Sequence, residues 1–223
     1  MSKEGKEKKT TYETLKAMYF SGKVKPSLNK IIAELEDDSK NLELTLLACK
    51  CLVRSKDFDT LSSYADTCIK LDPKNTEGYF YKGVACQHIK GKEQEALKNF
   101  NDALVLNPEH TVCLKSKADT HLLLYTDYHL PVKFAEKHRD KAETCLMKII
   151  ELLENKEGIA FAECLTLGDT FTSITQNINA KKFYGKAVTA FEAADEDAQD
   201  KNIYKDIIKA QKACIKLIEK FTE

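Results

Sequence analysis

The sequence predicts an all-α fold, a solenoid of about five stacked helix pairs closed by one further C-terminal helix. Three observations predict it. Apolar residues recur at three- and four-residue steps along most of the chain, the period of an amphipathic helix. Marker residues recur at a fixed spacing: Gly83, Ala96, Ala103 and Pro108 are 13, 7 and 5 residues apart, and Cys49, Leu61, Cys68 and Pro73 are 12, 7 and 5 apart. Strand signals are scarce, and only eight glycines and four prolines punctuate the chain.

Residues 1–9 are polar and lysine-rich (Lys3, Lys6, Lys8, Lys9) and are expected to form a disordered basic tail that aids solubility or touches an acidic surface. The repeat array then occupies residues 10–197. Its first pair runs from about Thr11 to Phe20 and from Ser27 to Leu35, with Ser21-Gly22-Lys23 as the turn and Pro26 suited to a helix start. The second pair is Leu42–Arg54 with Phe58–Leu71. The third lies in Thr76–Pro108, either side of a turn at Gly91 that holds one extra residue. Asp72-Pro73 and Asn107-Pro108 each end a helix and redirect the chain.

The fourth pair starts at Thr111, and its second helix is EKHRDKAETCLMKIIELLE. Ala118 and Ala142 are 24 residues apart, twelve more than the usual spacing. The excess falls near residues 125–139 and contains Tyr125, Tyr128, Leu130, Pro131 and Phe134. Either both helices are lengthened or a loop projects; the aromatics either pack on neighbouring helices or meet a partner. A fifth pair carries Gly168, Ala180 and Ala187 at spacings of 12 and 7. Residues 198–223 hold one more amphipathic helix, with Ile203, Ile207, Cys214, Leu217 and Phe221 on one side. It is expected to cap the open end of the array. The alternative is a helix that lies on a membrane or a partner.

The stretch TEGYFYKGVACQHIKGKEQEALKNFNDALVLNP (Thr76–Pro108) resembles one tetratricopeptide repeat (TPR), the 34-residue helix–turn–helix unit of repeat solenoids. The resemblance runs from about Thr10 to Phe221 and is strongest at residues 42–108 and 158–192. It implies a right-handed α-solenoid whose first helices line a concave groove, and a non-catalytic adaptor that holds a peptide or helix of a partner protein there. Carried over position by position, the groove residues are Glu43, Leu46, Lys50, Val53 and Arg54, then Glu77, Phe80, Val84 and Gln87, then Lys115, Asp119, Leu122, Leu165 and Asp169. Their mixed charge with apolar residues between suits an amphipathic segment. Chaperone-tail binders of the same family hold a carboxylate with Lys, Asn and Arg. Here Glu13, Ala17, Leu47, Glu77 and Tyr81 stand at those positions, and a carboxylate ligand needs cations, so that alternative is disfavoured. A non-catalytic subunit of an enzyme complex is a further alternative.

Composition narrows the remaining classes. The 223 residues include 35 basic and 35 acidic side chains, a net charge of zero, without the basic excess that nucleic acid requires. No apolar run approaches the roughly 18 residues of a membrane span, and the charged start does not read as a secretory signal. A cytoplasmic, reducing setting is expected, with the eight cysteines as small apolar packing residues. Cys49-x-Cys51 has no second Cys/His pair at zinc spacing, so no metal is expected. The five histidines are scattered and no phosphate-binding glycine loop occurs, so no catalytic residue and no cofactor is expected.

Overall fold

The computed structural model describes residues 3–127 and 129–154, and beyond them only positions 168, 185, 186, 188, 189, 208, 209 and 212. Apart from those positions, the fifth pair and the expected capping helix lie outside the described residues. Every element described is an α-helix: α1 (Lys3–Phe20), α2 (Val24–Asp37), α3 (Leu42–Ser55), α4 (Phe58–Leu71), α5 (Thr76–Gln87), α6 (Glu93–Leu106), α7 (Thr111–Tyr125) and α8 (Val132–Glu154). The chain divides into two compact units, Met1–Thr120 and His121–Glu223.

Local chemistry sets most helix ends. The Asn41 side chain accepts the Leu44 N–H at 3.1 Å, and that of Asp57 accepts the Thr60 N–H at 3.2 Å. Asn75 accepts from both Glu77 and Gly78. Each satisfies N–H groups that a helix start leaves unpaired. The turns within the first three pairs each hold a residue at positive φ, Gly22 (81°), Lys56 (60°) and Gly91 (84°). Glycine takes that conformation freely, whereas a lysine there is strained.

Two starts differ from the sequence reading. α1 begins at Lys3, so most of the stretch expected to be a disordered tail is helical. Lys and Glu are good helix formers, and extending an existing helix avoids the cost of nucleation. α2 begins at Val24, which puts Pro26 in the first turn, where its missing N–H has no intrahelical partner to lose.

In the first unit each helix packs on the next, from α1 to α6. Leu15, Ile31, Leu44, Leu47, Ala48 and Cys51 form one buried cluster across α1, α2 and α3. A second spans α3 to α6 and reaches Cys113, with Leu52, Leu61, Ala65, Phe100 and Ala103 among its members. Gly83 is where α5 and α6 come closest: a Cβ added there would stand 2.5 Å from the Phe100 ring. In the α1–α2 pair, Ser27 is fully buried and its hydroxyl donates to the Leu15 carbonyl at 2.9 Å. The six described cysteines (Cys49, Cys51, Cys68, Cys86, Cys113, Cys145) are free and buried. A hydrogen bond with Cys68, then burial, pushes the Cys49 thiol far above its usual range.

In the second unit, α8 starts at Val132 and absorbs much of the excess length by extending toward its N-terminus. Its buried face is Ala135, Ala142, Cys145, Leu146, Ile149 and Ile150. His121 and His138 meet with their Nδ1 atoms 2.9 Å apart. Of the aromatics in the excess, Phe134 is 55% exposed, with the Lys137 ammonium 5.5 Å from its ring centre.

Candidate functional site

In the first unit the first helices of successive pairs touch one another, α1 with α3 and α3 with α5, as well as their neighbours in the chain. They form one row, and the expected binding residues of this unit lie on it. The start of α7 joins the row through Gln87, whose Nε2 donates to the Ser116 carbonyl at 3.4 Å.

The expected site residues of the first unit fall into three groups. Glu43 and Lys50 are exposed, and Leu46 and Val53 are half-buried against the second cluster. These four are open to a ligand. Phe80 and Val84 are core residues, 9% and 7% exposed; the Phe80 ring packs on Tyr81, Phe100 and His110. The third group is charged or polar and already engaged within the chain. Arg54 Nη1 donates to the Tyr19 carbonyl at 3.0 Å, and its guanidinium lies 5.0 Å from the Tyr19 ring centre. Lys115 and Asp119 pair at 2.6 Å along α7. Leu122 belongs to the second unit and is half-buried. Leu165 and Asp169 lie outside the described residues.

Glu77 is engaged by a residue that the sequence reading left without a role. His110 Nδ1 accepts the Cys113 N–H at 3.0 Å, and Nε2 lies 2.9 Å from Glu77 Oε1. The Cys113 N–H can only donate, so Nδ1 must accept and the ring proton sits on Nε2, pointing at the carboxylate. His110 therefore caps α7 and ties it to α5. The His110 hydrogen bond holds the Glu77 carboxyl below the usual carboxylate range, with smaller help from Lys50 and Tyr81. Burial, then the nearby Glu77 charge, pushes the Tyr81 phenol well up. A signal for His110 was in the register: it follows Asn41 and Asn75 at the residue before a first helix, and those two cap α3 and α5.

No protein-family model matches the sequence, and neither does any curated protein. Solved structures do match. A thermophilic TPR protein of Thermus thermophilus, TTC0263, superposes with a TM-score of 0.67 over 93% of this chain and 98% of that one, at 17% identity. The fold is that of a TPR protein. The MamA protein of Desulfovibrio magneticus RS-1 (residues 41 to the end) gives a TM-score of 0.57 over 84% and 97%, at 13% identity. Pseudomonas aeruginosa PilF gives 0.59 over 82% and 75%, at 12% identity. The TPR register explains why the first helices of the first unit share one row, since each repeat sets its first helix beside the next. Among the described residues no group of three His, Cys, Asp or Glu could hold a metal, and no described helix is long and apolar enough to cross a membrane.

Proposed function

We propose that this TPR chain is a non-catalytic adaptor that holds a peptide or helix of a partner protein against the row formed by α1, α3, α5 and the start of α7. One observation carries the reading. On α3 the half-buried Leu46 and Val53 alternate with the exposed Glu43 and Lys50, so α3 carries an apolar strip with charged borders. That pattern suits an amphipathic segment, which gains burial on the strip and orientation from the borders. The six buried free cysteines suit a reducing compartment.

Site-specific photocrosslinking tests this. A crosslinking amino acid at Glu43, on the row, should capture a defined protein partner from cells. The same group at Lys98, exposed on α6, should not. Leu46→Asp should abolish capture while leaving the helical circular dichroism intact. Equal capture from Lys98, or capture indifferent to Leu46→Asp, overturns the reading.

A further inference from the structure

We propose that the part of the row built from α1 and the C-terminal half of α3 binds an acidic segment of a partner protein that carries an aromatic or aliphatic residue beside its carboxylates. This rests on the groove reading above and names the chemistry of its ligand. Lys16 and Lys50 stand one repeat apart at the same register position, and so do Phe20 and Arg54, on helices that touch. Lys50 and Arg54 are one turn apart on α3, so the cations gather on one stretch of the floor.

Their state favours an anion. Arg54 is held by the Tyr19 carbonyl and ring, which fixes the planar guanidinium while using one of its five donors. Neither Arg54 nor Lys50 has an ion pair among the described residues. Lys16 lies 5.8 Å from the Tyr12 ring centre and pairs with Glu13 at 4.0 Å, both side chains well exposed, an ion pair worth little. The acids near the floor are set back or already engaged: Glu43 lies two turns, about 10 Å, before Lys50 on α3, and the Glu77 carboxylate is bonded to His110, which with smaller help from Lys50 holds it below its usual range. Beside the cations Phe20 is 71% exposed, edge-on to Tyr19 at 5.3 Å, an apolar ring with room for a partner side chain. Carboxylates on Lys50 and Arg54 with an apolar residue on Phe20 use all three features. A nucleic acid strand would also find cations and rings here, but Glu13 and Glu43 border the patch; a peptide can set uncharged residues beside them, whereas every phosphate of a strand is charged.

Fluorescence anisotropy on the full chain decides the matter, with three labelled probes: a peptide alternating Glu and Phe, the same peptide with Gln for Glu, and a thymidine oligonucleotide. The acidic peptide should bind, and added salt should weaken it. The Gln peptide and the Lys50→Glu variant should each bind about tenfold more weakly or worse, with the circular dichroism of Lys50→Glu unchanged. Lys16→Glu should weaken binding in the same direction. No binding of the acidic peptide, equal binding of the Gln peptide, indifference to Lys50→Glu, or equal binding of the oligonucleotide overturns the proposal. If the Gln peptide binds equally and Leu46→Asp abolishes it, only the acidic ligand falls and the groove reading stands. If no peptide binds and crosslinking from Glu43 also fails, both fall.

Discussion

Between α5 and α6 the Phe100 ring lies against Gly83; at the same register positions of the α3–α4 pair stand Ala65 and Cys49. The exchange continues along the pair, with Ala96 against Leu61 and Ala103 against Cys68. All eight residues are buried. One pair puts a large ring against no side chain. The other spreads similar bulk over a leucine and two thiols, and the thiols of Cys49 and Cys68 are hydrogen-bonded to each other. The spacing that marks a repeat thus specifies where two helices approach, not which helix supplies the volume. A core tolerates either solution provided the total is kept.

The sharpest way to break this comparison is to mix the two solutions. Phe100→Ala should lose about 3–5 kcal/mol by urea unfolding, since a fully buried ring leaves a cavity. Gly83→Cys alone should cost about 1–3 kcal/mol, because the new side chain enters space held by the ring. The double variant imports the α3–α4 solution and should cost less than the two losses added, with a coupling of about 0.5–3 kcal/mol. Strict additivity would mean that the two positions do not share one volume.

The joints between pairs differ too. α3 and α5 are capped by asparagine, whereas α7 is capped by a histidine that also reaches back to Glu77. His110→Asn should keep the cap and lose the link, costing about 1 kcal/mol in thermal or urea unfolding. The carboxyl of Glu77 is lowered by folding, so its contribution is present above its ordinary value of 4.5 and is lost as the pH falls through the lower folded value. In wild type the acid limb of the stability profile should carry that loss. In Glu77→Gln the limb should be shallower, and in His110→Asn the Glu77 titration followed by NMR should move upward. An unchanged Glu77 titration would show that the link contributes nothing.

The smallest effect is expected at the turns. Gly22 and Gly91 occupy positive φ in their pairs, and Lys56 does so in the α3–α4 pair at an intrinsic cost. Lys56→Gly should raise stability by about 1 kcal/mol or less, because relief of strain is partly offset by a more flexible unfolded chain. A loss of stability would mean that the Lys56 side chain does more for this turn than its backbone strain suggests.

Much of the fold was readable from local signals. The period marked the helices, and α4 runs from Phe58 to Leu71 as read, because Asp57 caps its start and Asp72-Pro73 stops its end. The site was less readable. Glu43 and Lys50 could be placed on an open row from the repeat register. Phe80 could not be told from a groove residue, because its ring is covered by His110, a residue 30 positions later, and by Phe100 on α6. Arg54 looked free until α1 brought the Tyr19 carbonyl beside it. His110 looked like a scattered histidine, although its place in line with Asn41 and Asn75 hinted at a cap.

Period, caps and turn residues act over four residues or fewer, so the chain's own letters settle where helices start, stop and which stripe is apolar. Whether a polar group on that stripe is free or already paired depends on atoms brought in from other helices. A hydrogen bond needs its partner within about 3 Å, a distance that exists only once the pairs have stacked. For this protein the letters accordingly specified a row of helices, and the stacking selected which of its charges are already paired within the chain.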